Sequence, residues 1–132
     1  YQQLAVIKRM VEDLCLPVKI IPAPIYREAD GLAMSSRNVL ITEQERPSVI
    51  VLKMSLDGIA ADIISGATKY TQLEQDAIGK IEGSGFRVDY VAICNSKSLE
   101  KAAQDDSELV VLGAIFTDAA RIIDNVVVTR NR

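Results

Sequence analysis

The sequence predicts an α+β fold in which helices pack on one face of a small antiparallel sheet, preceded by a helix and strand of a parallel α/β layer. Residues 42–132 contain two helical segments followed by β-rich runs, an order typical of α+β domains. Residues 1–25 contain a helix followed directly by a short β-rich run, which is half of a parallel βαβ layer. Because 132 residues with 48% apolar content suit about one core, we expect one main domain over 42–132. Residues 26–41 are then the loop between this domain and the end of another in residues 1–25.

The first segment, residues 1–16, has the apolar spacing of an amphipathic helix. Pro17 ends this helix, and residues 18–21 form a short β-rich run that predicts one strand. The apolar face of the helix consists of Leu4, Ile7, Met10, Val11 and Leu14. Without the sheet that such a helix covers, this face must pack on the rest of the chain or on a second copy, so we expect a homo-oligomer.

Two helices are predicted at the start of the main domain. Thr42 and Glu45 have the spacing of a capping box, which predicts a helix from Thr42 to Ile64. A second helix is predicted over residues 69–82, where apolar residues recur at helical spacing. The Gly-Ser-Gly sequence at 83–85 is expected to end it.

The second half of this domain is predicted to form the sheet. Strands are expected over residues 86–94, 109–116 and 121–129, which are rich in β-branched and aromatic residues. The four residues 117–120 have a length compatible with a hairpin turn between the last two strands. Residues 98–104 suit a short helix.

The composition excludes several kinds of site. Histidine is absent, so the chain alone has no His-based catalytic triad, His-ligated zinc or histidine pH switch. A net charge of −3 argues against a nucleic-acid partner, and no stretch approaches the roughly 20 apolar residues of a membrane span. Cys15 and Cys94 lie in separate apolar runs, and we expect both to be buried, reduced thiols without a disulfide or metal role. With no signal peptide ahead of Tyr1, these features predict a cytoplasmic protein without a metal site of its own.

Chemistry is concentrated in the loop of residues 26–41. Gly31 is followed closely by the Met-Ser-Ser-Arg-Asn sequence at 34–38. Two adjacent hydroxyls, the N–H groups of a glycine-containing loop and one guanidinium together form a surface suited to phosphate oxygens. The alternative is a solvated connector whose Ser and Arg side chains only cap the helix at Thr42.

The motifs also carry a family resemblance. The sequence YQQLAVIKRMVEDLCLPVKI, followed by READGLAMSSRN, resembles the pantothenate synthetase (pantoate–β-alanine ligase) family over essentially all 132 residues. The resemblance implies a ligase that joins pantoate and β-alanine through a pantoyl-adenylate, with ATP as substrate and AMP and pyrophosphate as products. It also implies a Rossmann-like nucleotide-binding domain, related to class I aminoacyl-tRNA synthetases, to which residues 1–25 would belong. Residues 42–132 would be the C-terminal lid domain.

The resemblance assigns site residues one by one. It implies that Ser35, Ser36 and Arg37 contact the ATP triphosphate and act in catalysis, and that Met34 lies against the nucleotide. It further implies that the backbone of Tyr26 meets the adenine, although many family members have valine at this position. Alternatively, the Tyr26 side chain only packs against Pro24.

Gln3 would hydrogen-bond pantoate in this family, although it also suits a merely polar position in a first helical turn. The resemblance places a histidine-containing motif, the magnesium ligands and an F-G-x-K-D sequence upstream of Tyr1. We therefore expect the chain to be a C-terminal portion that is inactive by itself. The alternative is a non-catalytic binding or assembly module that keeps the lid fold.

Overall fold

The computed structural model describes residues 1–130 and contains helices packed on a three-stranded antiparallel sheet, which confirms the predicted fold class. The strands lie in the order β1-β2-β3. In chain order the elements are α1 (Gln2–Asp13), a 3-10 helix (Ser36–Leu40), α2 (Arg46–Val49), α3 (Val51–Ile64), α4 (Tyr70–Gly83), β1 (Arg87–Asn95), β2 (Glu108–Phe116) and β3 (Arg121–Thr129).

The core lies between the sheet and helices α3 and α4. β2 is the central strand, and its residues 109–115 are all buried. Leu52 and Leu56 of α3 are almost wholly buried where the helix crosses β2 at Gly113. A Cβ built on Gly113 would lie 2.8 Å from Leu52 Cδ1, so glycine at this position allows α3 to approach the strand closely.

The second helix and all three strands agree with the sequence prediction. α4 ends at Gly83, and Gly85 follows with a φ of +92°, a conformation that favours glycine. The turn between β2 and β3 is closed by the hydrogen bond from Thr117 N to Ala120 O, at 2.8 Å.

The continuous helix predicted over residues 42–64 is wrong in one respect. The capping box forms, since Thr42 Oγ1 accepts from Glu45 N at 3.2 Å and Glu45 Oε2 accepts from Thr42 N at 3.1 Å. The chain then makes a turn and the short helix α2, and a break at Ile50 separates α2 from α3. The capping box therefore closes the turn that precedes α2 and does not lie at the first residue of a helix.

The short helix predicted over residues 98–104 is wrong. Asn95 Oδ1 accepts from Lys97 N and Ser98 N, and Leu99 adopts a left-handed φ of +60°. Side chains that bond nearby backbone groups in this way compete with helix formation. The segment instead runs beside β1, where Ala102 N donates to Ile93 O at 3.0 Å.

Two predictions for the first 25 residues are also wrong. Residues 18–21 form no strand, because within residues 1–130 the sheet is formed only by β1, β2 and β3, and residues 18–21 pair with none of them. Cys15 is exposed rather than buried and lies, with a φ of +50°, in the turn that follows α1, whereas Cys94 is buried as predicted.

Helix α1 begins against the open face of the sheet. Tyr1 Oη donates to Ser96 O at 2.7 Å, and Gln2 and the Tyr90 hydroxyl share a longer hydrogen bond. The far end of the apolar face stays uncovered in the single chain, where Leu14 is 63% exposed. Self-association through this face therefore stays a prediction.

Candidate functional site

The first part of the loop, residues 26–34, folds back on itself as a short hairpin. Arg27 and Ala33 form an antiparallel bridge, and Met34 N donates to Tyr26 O at 2.9 Å. Gly31 closes the turn with a φ of +90°, a conformation that a side chain would strain. The hairpin therefore fixes the position at which Met34 leaves it.

The phosphate loop, as we name residues 34–37, continues from this hairpin into the 3-10 helix. Ser35 caps that helix, and its Oγ accepts from Arg37 N at 3.2 Å. The side chains of Ser36 and Arg37 are exposed, whereas Ser35 is half-buried. The loop thus has an ordered backbone and presents its hydroxyl and guanidinium groups at the surface.

Asn38 anchors the end of the phosphate loop. It is buried, and its Nδ2 donates to Ala33 O at 3.0 Å and to a carboxylate oxygen of Glu28. Its Oδ1 is buried without a hydrogen-bond partner in the described chain. The Asn38 amide therefore ties both ends of the phosphate loop to the hairpin.

Among the arginines of residues 1–130, Arg37 alone has a guanidinium without a partner in that part of the chain. Within residues 1–130 its guanidinium makes no ion pair, side-chain hydrogen bond or ring contact. Each of the other described arginines makes at least one such contact; these are Arg9, Arg27, Arg46, Arg87, Arg121 and Arg130. An exposed cation that the fold does not neutralise is available to an anionic ligand.

A buried ion pair ties the hairpin to the sheet. The Arg27 guanidinium makes a bidentate pair with Asp124 of β3, at 2.7 Å for Nη1–Oδ2 and 3.0 Å for Nη2–Oδ1. The Asp124 side chain is only 3% exposed. The hydrogen bonds that Arg27 donates to Asp124 raise the pKa of Arg27 above its ordinary value. Arg27 Nη1 also donates to Gly31 O at 3.0 Å.

A second, more exposed cluster ties the tip of the hairpin to helix α2. Arg46 pairs with Glu28 and Asp30, each at 2.7 Å. Hydrogen bonds from Asn38 and then Arg46 lower the pKa of Glu28. The pKa of Asp30 is lowered mainly by the hydrogen bond that its carboxylate accepts from Leu32 N. Both carboxylates are therefore held in the charged form, and Arg46 offsets part of their combined negative charge.

The structure brings together the five residues predicted to bind ATP. Tyr26 and Met34 are neighbours across the hairpin, and both side chains are largely exposed beside Ser35, Ser36 and Arg37.

Gln3 lies apart from these residues. It is exposed on α1, and within residues 1–130 no hydrogen bond or ion pair joins α1 to the phosphate loop. Its assignment to pantoate stays a prediction.

Sequence reasoning missed the residues that hold the loop. The sequence alone assigns no role to Arg27, Arg46 and Asp124, because their partners are distant in the chain. Arg27 and Asp124, for example, are 97 residues apart. One signal was available. Asp124 interrupts a β-rich run, and a carboxylate in a buried strand requires a cationic partner.

The phosphate loop lies on an open surface. A cleft of about 550 Å³ between α1 and the sheet is lined by residues such as Leu4, Lys8 and Glu108, and by none of residues 26–37. The exposed side chains of Met34, Ser36 and Arg37 lie at the surface of the described chain, outside this cleft.

The described residues do not fit a metal site. Within residues 1–130 no three His, Cys, Asp or Glu side chains are grouped to hold an ion. Glu28 and Asp30, the carboxylates nearest the phosphate loop in sequence, are already bound to Arg46. In the same part of the chain, no helix has the length and apolar character to cross a membrane.

Comparison with known proteins identifies the family to which the chain belongs. Residues 1–127 match the family model described as pantoate-beta-alanine ligase. The match includes almost all of the 132 residues, and the chain belongs to the pantoate-beta-alanine ligase family.

Individual relatives agree with this assignment. The pantothenate synthetase of Cellvibrio japonicus is 57% identical over 126 residues, which are 96% of this chain and 44% of the relative. That of Alkalilimnicola ehrlichii is 43% identical over all 132 residues, which correspond to 46% of the relative. The crystal structure of pantothenate synthetase from Thermus thermophilus superposes with a TM-score of 0.88 at 33% identity, covering 96% of this chain and 46% of that chain. The chain thus spans a little under half the length of these relatives.

Proposed function

We propose that this chain forms part of an ATP-dependent ligase that condenses pantoate with β-alanine to give pantothenate. The reaction proceeds in two steps: the pantoate carboxylate attacks the α-phosphorus of ATP to form pantoyl-adenylate and release pyrophosphate, and the β-alanine amine then displaces AMP. Family membership supports the overall reaction. The guanidinium of Arg37, which has no partner within residues 1–130 and projects from an otherwise anchored loop, is the observation that carries the role of this chain.

In the first step, the phosphate loop contacts the triphosphate. Arg37 and the hydroxyls of Ser35 and Ser36 donate to phosphate oxygens on which negative charge accumulates as the carboxylate attacks. Donors fixed before the reaction stabilise this charge more than the ground state. The Ser35 cap and the Asn38 amide hold the backbone that carries these three side chains, so little backbone reorganisation is needed when ATP binds.

Met34 and Tyr26 form the margin of this surface toward the nucleotide. The Tyr26 carbonyl accepts from Met34 N, so the hairpin hydrogen bond fixes the backbone that would face the adenine. Gln3 is assigned to the pantoate from the family motif alone. The second step depends on holding the adenylate and β-alanine in register and on keeping water away from the adenylate.

The open surface at the phosphate loop predicts that the 132 residues alone do not form pantothenate. The other wall of the nucleotide site would come from sequence that matches the remaining half of the relatives. The family resemblance would place the magnesium ligands there as well.

A chimera provides the test. The 132 residues replace the matching stretch of the Cellvibrio japonicus pantothenate synthetase, and pantothenate formation is measured with pantoate, β-alanine and ATP. The parent chimera is expected to be active, and Arg37→Ala to lower kcat about 10²–10³-fold, the usual effect of losing one such donor. Lys80→Ala removes an exposed cation from α4 and serves as the charge-matched control.

Each outcome is informative. Equal activity of the parent chimera and its Arg37→Ala variant would contradict the phosphate contact. A folded but inactive parent chimera would instead favour a non-catalytic module that retains the lid fold. Pantothenate formation by the 132-residue chain alone, at the rate of the chimera, would refute the need for a second wall.

A further inference from the structure

We propose that Arg27 is a positioning residue, which orients the phosphate loop by tying its hairpin to Asp124 of β3. The proposal rests on the proposed function, because it concerns the same reaction. Arg27 itself does not touch the substrate in this scheme; it acts through the phosphate loop, above all by placing Arg37.

The geometry of the ion pair favours positioning over simple surface pairing. Two parallel hydrogen bonds of 2.7 and 3.0 Å fix the guanidinium plane relative to the Asp124 carboxylate. The Asp124 side chain is 3% exposed and belongs to a strand of the sheet, so it is a rigid anchor. The third bond, from Arg27 Nη1 to Gly31 O, holds the turn of the hairpin on the same guanidinium.

The orientation passes from Arg27 to the phosphate loop through its direct bridge partner. Ala33 lies opposite Arg27 and is joined covalently to Met34, the first residue of the loop. Ala33 O also accepts from Asn38 Nδ2, and Asn38 follows Arg37 directly. Both ends of the phosphate loop are therefore attached to the hairpin strand that contains Ala33, and Arg27 connects this hairpin to the sheet.

Arg46 does not replace this anchor. It binds Glu28 and Asp30 at the tip of the hairpin and connects them to α2. Both carboxylates are about a third exposed, and neither reaches the sheet through this cluster. Loss of the Arg27 pair would therefore remove the hydrogen bonds that join the hairpin to β3 even with the Arg46 cluster intact, and would leave the buried Leu32 as the hairpin's contact with the core.

Arg27→Lys is the primary variant, in the chimera described above. Lysine keeps the charge beside Asp124 and cannot reproduce the planar two-bond fork. We expect kcat to fall about 10- to 100-fold, because small misplacements of catalytic groups have effects of this size, while the KM for pantoate stays within about twofold. A second variant, Arg27→Met with Asp124→Asn, leaves no unpaired buried charge and is expected to reduce kcat similarly in the folded protein.

The matched control is Arg121→Lys. Arg121 pairs with Asp89 at 2.6 Å on the exposed side of the sheet, away from the hairpin, so its loss is expected to leave kcat unchanged. Urea unfolding of each variant measures stability separately from kcat.

A double-mutant cycle on kcat between Arg27 and Arg37 distinguishes a positioning role of Arg27 from a merely structural one. If Arg27 acts by placing Arg37, the Arg27→Lys change lowers kcat little further when Arg37 is already alanine. An equal fold-change in both backgrounds, or a loss of stability with kcat unchanged, overturns the positioning role while leaving the phosphate contact intact. If Arg37→Ala itself leaves kcat unchanged, the proposed function fails first, and the positioning role fails with it.

Discussion

Replacing Gly113 with alanine tests how closely α3 approaches the sheet. The added methyl would lie 2.8 Å from Leu52 Cδ1 and 3.1 Å from Leu56 Cδ2. Ordinary carbon contacts are about 3.5–4.0 Å, so the Leu52 methyl must move by roughly 0.7 Å or more. Both leucines are buried, so neither can move into solvent.

The sign of the effect follows from two opposing terms. Alanine in place of glycine within a strand gains about 0.5–1 kcal/mol from the lower conformational entropy of the unfolded chain. Overpacking of a filled core costs about 1–3 kcal/mol. We therefore expect Gly113→Ala to lower the free energy of unfolding by about 1 kcal/mol.

Gly58→Ala is the matched control for the same chemical change. Gly58 lies within α3, is exposed, and has no atom within 4 Å of an added Cβ. Removing a helix-interior glycine should raise the free energy of unfolding by about 1 kcal/mol. Urea denaturation of the two variants, followed by circular dichroism, measures both changes against the parent chain.

Opposite signs at the two positions would support the close packing of α3 on β2. If Gly113→Ala were stabilising to the same extent as Gly58→Ala, the contact with Leu52 would be wrong. Combining Gly113→Ala with Leu52→Ala adds a second check. The added methyl then enters the space that Leu52 vacates, so the double variant should lose less free energy of unfolding than the sum of the losses of the two single variants.

Two further predictions concern ionisable groups. Hydrogen bonds from Asp118 N and then Thr42 N lower the pKa of Glu45 below its ordinary value of 4.5, so its contribution to stability is complete above pH 4.5 and is lost as the pH falls through the lowered pKa. Glu45→Gln should therefore make the urea midpoint less sensitive to pH below 4.5, and an unchanged pH dependence would contradict this. A thiol reagent at pH 8 should modify the exposed Cys15 quickly and Cys94 slowly, because burial raises the pKa of the Cys94 thiol. Cys15→Ser should remove the fast phase, and two fast thiols would contradict the burial of Cys94.

The elements that local pattern predicts well are those in which pattern and packing agree. α4 has apolar residues at helical spacing and a glycine terminator, and β2 and β3 are continuous β-rich runs joined by a short turn. After Asn95 the predicted short helix does not form, because the Asn95 side chain accepts hydrogen bonds from two backbone N–H groups. Residues 18–21 show that β-rich composition alone is not sufficient, because a run of this kind forms no strand without a neighbouring strand to pair with.

The candidate site divides in the same way. The side chains that present hydrogen-bond donors at the surface, Ser36 and Arg37, are adjacent and are visible as a motif. The residues that fix them in space come from distant parts of the sequence. Asn38 belongs to the motif, but its burial and its bond to Ala33 O follow only from the folded hairpin.

The segment that runs beside β1 in place of a helix has a consequence for assembly. β1 is an outer strand, and its outward backbone groups would pair with any strand offered by another molecule. Ile93 N is taken by Glu74 Oε1, Ile93 O by Ala102 N, and Asn95 N by Glu100 O. Strand addition, and the aggregation it leads to, is therefore blocked along this end of β1 by the chain's own polar groups.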